Sequence, residues 1–336
     1  MILVTGSTGL VGAHLLYKLA SNNENVKAIY RSSHKLENVK NVFSTYTKDY
    51  ELLFNSIEWI QADILDIPLL SEAFKNVSYV YHCAAFVSFE PDKYQLLRQT
   101  NIEGTANIVN LCISNDITKL CYVSSVATIG NTLNKEPITE KTEWNPEVDN
   151  SVYAITKYGA EMEVWRGTQE GLNTVIVNPG VILGAGIWRY GSGSLFKKAH
   201  KGLKHYTSGT IGLISIDDVI SIMIQLLKSD IVNERFILVA ENWTYKQFLQ
   251  TLAKSVDANI PEKLASKRLL KVAWKLDWLK SKVTGKRRQL TKQIAYSLSS
   301  KKNYSSNKIE TTLNYTYKDV NKSIIEIGNL YLKQVK

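Results

Sequence analysis

Short apolar runs recur through the first half of the chain, at 2–5, 26–30, 58–62, 79–83, 120–124 and 174–178. Between them apolar residues return at helical spacing, most clearly at 68–75, 94–113 and 151–169. Apolar runs too short for helices, separated by helical patterns, predict a parallel sheet with helices on both faces. In such a doubly wound α/β fold, ligands bind at the carboxyl ends of the strands. The stretch 31–55 carries no readable period and predicts no element. Beyond Asn178 the pattern changes to a glycine-rich run at 179–194, short elements, a helix at 217–228 and a basic tail. The expected organisation is a sheet domain from 1–178 plus 212–240, and a smaller, mainly helical region from 179–211 plus 241–336.

The first apolar run leads directly into Gly6, Gly9 and Gly12, and Leu10, Leu15, Leu16 and Leu19 follow at helical spacing. Glycine costs stability inside a helix, so three in one strand-to-helix turn ask for a reason. A helix N-terminus offers free N–H groups and the positive end of the helix dipole, and glycines let a phosphate come close. The spacing is GxxGxxG, and the turn predicts a dinucleotide site.

Composition narrows the class. With 336 residues, 44% of them hydrophobic, the chain can bury one large core or two unequal ones. No apolar run approaches the roughly 20 residues needed to span a bilayer, and no basic segment precedes the first apolar run, so a cytoplasmic protein is expected. Cys83, Cys112 and Cys121 lie in apolar contexts without ligand spacing, which predicts buried reduced thiols and no metal site. The net charge of +10 is local: residues 261–302 hold 13 Lys or Arg against two acids. No recognition motif accompanies this charge, so nucleic acid is not an expected partner. The stretch KRLLKVAWKLDWLKSKVTGKRR reads as an amphipathic helix covering a core with its charged face outward, with peripheral membrane contact as the alternative.

The chemistry concentrates in SVYAITKYGAEMEVW. Tyr153 and Lys157 are four apart and share a helix face. A phenol with an ordinary pKa near 10 needs roughly 4 kcal/mol of preferential phenolate stabilisation to titrate near 7, and a nearby ammonium contributes to that. A second YxxxK pair, Tyr304 and Lys308, lies in a polar tail and is read as chance. Ser124 and Ser125 end the predicted strand at 120–124, where a hydroxyl can donate to a substrate oxygen, and Ser125 is the candidate.

In chain order the TGSTGLVG turn, HCAA at 82–85, VSS at 123–125, the YxxxK pair and NPGVILG at 178–184 resemble the extended short-chain dehydrogenase/reductase family. Within it the chain is similar to the dihydroflavonol reductase and 3β-hydroxysteroid dehydrogenase branch of the epimerase/dehydratase proteins. The resemblance spans residues 1–240 well and the tail loosely. It implies an NAD(P)-binding Rossmann fold with a C-terminal substrate region. Gly6, Gly9 and Gly12 would approach the pyrophosphate, with backbone donors from Ser7, Thr8, Gly9, Leu10 and Val11. Asp63 and Ile64 would meet the adenine edge, Ala84 and Ala85 would line the cofactor, and Pro179 and Val181 would fix the carboxamide. Tyr153 would be the general acid in reduction, Lys157 would bind the nicotinamide ribose and lower the phenol's pKa, and Ser125 would hold the substrate oxygen. Asn101 resembles a helix asparagine that anchors this region. The family commonly dimerises through the helices at 94–113 and 151–169, which implies a homodimer.

The cofactor choice rests on the end of the second strand. NAD sites place a carboxylate there, whereas a 2′-phosphate calls for a cation. Residues 29–35 contain no acid and offer Arg31, so NADP(H) is expected, with NAD(H) as the alternative. Val126 and Ala127 follow Ser125 where sugar-nucleotide dehydratases of the family carry acids, which argues against elimination chemistry. The expected reaction is reduction of a ketone or aldehyde, or its reverse, on a small-molecule substrate. The alternatives are a sugar-nucleotide epimerase with tightly held NAD and a non-catalytic cofactor-sensing regulator. Phe86, Val87 and Ser88, and Trp188, Arg189 and Tyr190, are the candidate substrate contacts.

Overall fold

The computed structural model describes residues 1–132, 136–285, 288 and 290–335. Lys286, Arg287 and Gln289 of the basic tail lie outside the described residues. The elements in order are β1 (Ile2–Thr5), α1 (Leu10–Ser21), β2 (Val26–Tyr30), α2 (Leu36–Phe43), α3 (Tyr50–Asn55), β3 (Glu58–Gln61), α4 (Ile67–Phe74) and β4 (Tyr79–His82). Then come α5 (Tyr94–Leu97), α6 (Gly104–Ser114), β5 (Lys119–Val123), α7 (Val152–Gln169), β6 (Thr174–Pro179), β7 (Val181–Leu183), α8 (Gly193–His200), β8 (His205–Tyr206), β9 (Thr210–Ser215) and α9 (Ile216–Lys228). The chain ends in β10 (Glu234–Leu238), β11 (Glu241–Thr244), α10 (Tyr245–Ser255), β12 (Lys263–Leu264), α11 (Lys267–Thr284), α12 (Lys292–Ser297), α13 (Asn307–Leu313) and α14 (Val320–Val335).

The main sheet has the order β10-β6-β5-β4-β1-β2-β3, and every neighbouring pair is parallel. This is a doubly wound Rossmann-type sheet. One core lies between the sheet and α1, α2 and α9, built on Leu15, Leu16, Phe43 and Met223. The other lies under α4, α6 and α7, built on Leu70, Phe74, Ile108 and Val164. Burial on both faces explains why β1, β5 and β6 read as continuous apolar runs. The strand order reverses between β1 and β4, so a crevice opens there at their carboxyl ends.

Three features depart from the sequence expectations. Residues 31–55 contain two short helices, α2 and α3, where none was predicted. The C-terminal region is helical but also holds the sheet β11-β9-β7 and the pair β12-β8, and its core gathers Leu183, Phe196, Trp243, Phe248 and Tyr331. The basic helix α11 does not cover a core: of its residues only Leu270 is buried, in a small cluster with Ala265 and Ala295.

Candidate active site

The glycine turn meets the loop after β4 at the reversal point. Gly6 has φ +66°, and a Cβ there would lie 2.5 Å from the Ala84 nitrogen, so the backbone of one loop presses on that of the other. A Cβ on Gly12 would fall 2.3 Å from the Gly6 carbonyl oxygen. Gly9 differs, because a Cβ there would meet only that same oxygen, at 3.3 Å. The need for glycine at Gly9 is therefore weak among the protein's own atoms, and it marks the open side of the turn. Gly9 caps α1 without any side-chain hydrogen bond, and no acid stands in the first turn, so the N-terminal amides face outward for an anion. Ser7 is buried, and its hydroxyl donates to the Ile29 carbonyl oxygen, which ties the turn to β2.

His82, at the end of β4, is fully buried between the Thr5 hydroxyl at 2.6 Å and the Thr105 hydroxyl at 2.9 Å. Burial pulls its pKa down to about 3, so it is a neutral strut joining β1, β4 and α6. Between α5 and α6 the helix passes through a π-helical stretch, Arg98–Glu103, that carries Asn101 inward. Asn101 accepts from the Phe86 N–H at 2.7 Å, donates to the Phe86 carbonyl oxygen at 3.1 Å and reaches the Thr156 hydroxyl at 3.2 Å. The loop after HCAA is thereby fastened to α7.

The two serines at the end of β5 have different partners. Ser124 donates to Glu161 Oε2 at 2.5 Å, inside the fold. The Ser125 hydroxyl lies near the Tyr153 phenol and caps the short turn that follows, accepting from the Ala127 N–H at 3.1 Å. Tyr153 sits in the first turn of α7, which Ser151 caps by accepting from the Ala154 N–H. Burial raises its pKa, and the nearby Ser125 hydroxyl partly offsets this. Lys157, one turn on, is buried; its ammonium donates to Tyr122 Oη at 2.6 Å and to the Val123 carbonyl oxygen at 2.9 Å. Burial lowers its pKa to about 7, against the opposing field of Glu161.

The model of the NAD dependent epimerase/dehydratase family matches residues 2–238 of this chain. The chain belongs to that family. Its similarity to Sterol demethylase protein B of Methylococcus capsulatus is 26% identity over 254 residues, covering 74% of this chain and 73% of that protein. With a putative dihydroflavonol 4-reductase of Synechocystis the identity is 30% over 181 residues, 54% of this chain and 49% of that one. Among solved structures, a UDP-glucose 4-epimerase of Thermotoga maritima determined with UDP-glucose superposes with a TM-score of 0.77 at 19% identity, covering 100% and 99% of the two chains. This member of the epimerase/dehydratase family is an NAD(P)-dependent oxidoreductase of the extended short-chain type.

The remaining predicted positions divide by location. Arg31 follows β2, and its guanidinium stands 3.6 Å from the Asp63 carboxylate, so the two adenosine-end candidates face each other. Asp63 also accepts from the Leu65 N–H, and Ile64 is buried against Gly104. Ala84 is half-buried beside Gly6 and Ala85 is exposed. Pro179 ends β6, and Val181 opens β7. Ser88 is buried and paired with Glu90, away from open space. Trp188 packs edge-on against Phe196 and Tyr331 in the C-terminal core, while Arg189 and Tyr190 are exposed. The Tyr190 hydroxyl accepts from Asn38, whose amide also reaches the Thr8 carbonyl oxygen, so Tyr190 stands by the glycine turn. Tyr304 and Lys308 do not share a helix: Tyr304 bridges to Ile138, and Lys308 pairs with Glu234.

Sequence reading missed two parts of this site. Phe89 lays its ring 5.3 Å from that of Tyr153. Glu161 is fully buried and gathers Ser124, Thr128 at 2.8 Å and Asn178 at 2.9 Å on one oxygen, with Arg235 at 3.1 Å on the other. Asn178 also donates to the Ser125 carbonyl oxygen at 3.2 Å, so this hub sets the backbone that presents Ser125. Glu161 lies four residues after Lys157 on the same face, the one signal that marked it in advance.

Proposed function

We propose that the protein reduces a ketone or aldehyde with NADPH, Tyr153 donating the proton and Ser125 holding the substrate oxygen. The observation that carries this reading is the convergence of Ser125, at the carboxyl end of β5, with Tyr153 and Lys157 of α7. A raised pKa keeps that phenol protonated near neutrality, the state required of a proton donor. Lys157, with its pKa lowered to about 7, brings a charge whose size responds to its surroundings within one turn of the phenol. The bound nicotinamide supplies the hydride. The uncapped N-terminus of α1 and the open side of Gly9 suit the pyrophosphate, with Ser7 to Val11 as backbone donors.

NADP(H) is favoured over NAD(H) by Arg31, whose side chain is half exposed at the end of β2 with no acid in 29–35. Asp63 holds the guanidinium in place without covering it. Phe89, beside Tyr153, gives the mouth an apolar wall suited to a hydrophobic carbonyl compound. The working assembly in this reading is a homodimer. Side-by-side titration with NADPH and NADH, read by nicotinamide fluorescence, tests it. The expected preference for NADPH is about tenfold or more, equivalent to about 1.4 kcal/mol, and Arg31→Ala abolishes it. Preference for NADH, or an NAD that copurifies and resists displacement, overturns the Arg31 argument in favour of epimerisation.

A further inference from the structure

Helix α11 exposes Leu269, Val272, Leu276, Leu279 and Val283, which are 45–79% accessible to solvent. Their alternating spacing of three and four residues puts all five on one stripe. The opposite side, with Leu270 and Trp274, packs on Ala265, Ala295 and Leu290. The helix is well defined by its own sequence: Ser266 accepts from the Leu269 N–H at one end, and Gly285 in the left-handed conformation stops the other. Arg268, Lys275 and Lys282 are exposed along one flank of the stripe with Lys271 behind them, and Lys280 is exposed on the other; Lys267 lies nearer the packed side. The helix's one acid, Asp277, lies on the packed side and accepts from the Leu290 N–H at 3.0 Å.

We propose that α11 docks the protein on an anionic lipid bilayer, the apolar stripe entering the headgroup boundary and the lysines meeting the lipid phosphates. An apolar stripe between cationic flanks matches an anionic surface in both chemistries at once. A second copy of this helix fits poorly, because Arg268, Lys275 and Lys282 sit beside the stripe where a paired helix would set cation against cation. Among the described residues no helix is long and apolar enough to cross a membrane, so the contact is a surface one. On its packed side α11 meets α12, whose Lys292 pairs with Asp149 at 2.9 Å in the loop that leads into α7.

The full chain is sedimented with vesicles of phosphatidylcholine alone and of phosphatidylcholine mixed with phosphatidylglycerol. Binding is expected only to the mixed vesicles and to weaken with salt. Lys271→Gln/Lys275→Gln weakens it roughly thirtyfold, at about 1 kcal/mol per cation. Leu276→Glu/Leu279→Glu abolishes it, with circular dichroism unchanged because both positions face solvent. No binding to mixed vesicles overturns the proposal, as does binding that survives the leucine changes. So does light scattering that shows those changes splitting a dimer, since a second copy would then be the occupant. None of these readouts depends on which carbonyl compound or cofactor the enzyme uses.

Discussion

Helices α7 and α11 are both 18 residues long, and they depart from ordinary helix patterning in opposite directions. Helix α7 buries Thr156, Lys157 and Glu161 beside Ala160 and Val164, while α11 leaves six apolar side chains, Trp278 among them, in solvent. Buried polar groups are costly unless each is partnered, so a helix that buries a lysine and a glutamate must be surrounded by donors and acceptors from other elements. Around α7 these come from β5, β6 and β10, and the result is a rigid support for Ser125 and Tyr153. Exposed apolar groups carry the opposite implication: the folded chain has left contact area for something else. One helix is specified by its own protein, and the other awaits a surface.

The contrast is broken most severely at Tyr153. Tyr153→Phe removes the proposed proton donor and keeps the ring against Phe89; turnover of any carbonyl substrate the wild type accepts is expected to fall about 10²–10⁴-fold, with cofactor affinity unchanged. Full turnover in that variant would remove the assigned role. Next comes Glu161→Ala, which leaves the part-buried Arg235 without its carboxylate and Ser124 without its acceptor, and leaves Thr128 and Asn178 to share the Ser125 carbonyl oxygen. An expected loss of about 3 kcal/mol or more is read as a shift of the urea midpoint.

Acid tests the polar interior from another side. His82 and His14 are buried with pKa values lowered to about 3 and about 4, so between pH 6.5 and those values the unfolded chain binds protons that the folded chain refuses. Stability is therefore lost as pH falls below 6.5, by about 2 kcal/mol per histidine at about pH 5. Denaturation midpoints measured from neutrality to that pH check it, and a flat profile contradicts it. The smallest effect belongs to α11. Leu276→Glu is expected to change stability by less than about 0.5 kcal/mol, because the side chain is 61% exposed, and a larger loss in a melting experiment would mean that the stripe is covered.

The strands that carry the site were legible because each is mostly apolar and bounded by polar turns, and β1, β2 and β4 to β6 start and stop within about one residue of expectation. Helices α2 and α3 escaped notice because eight and six residues give too few turns for a period to stand out. Strand β10 begins Glu234-Arg235, and Arg235 reads as a surface residue until Glu161 is seen beneath it. Trp188 shows the limit of reading residue type alone: an aromatic in a glycine-rich loop suits a pocket or a core, and here it packs in a core.

What the sequence alone determined is local. Periodicity, the glycine spacing and the Tyr153–Lys157 pair depend on neighbours within a few residues, where backbone geometry leaves little choice. What tertiary structure decided is which side chain faces which. It turned Ser124 to Glu161 and Ser125 to Tyr153, drew Lys157 onto Tyr122 and Val123, and set Arg31 against Asp63. Burial and distant partners assign those roles, because a hydroxyl or an ammonium takes its function from the groups that the fold brings within hydrogen-bond reach.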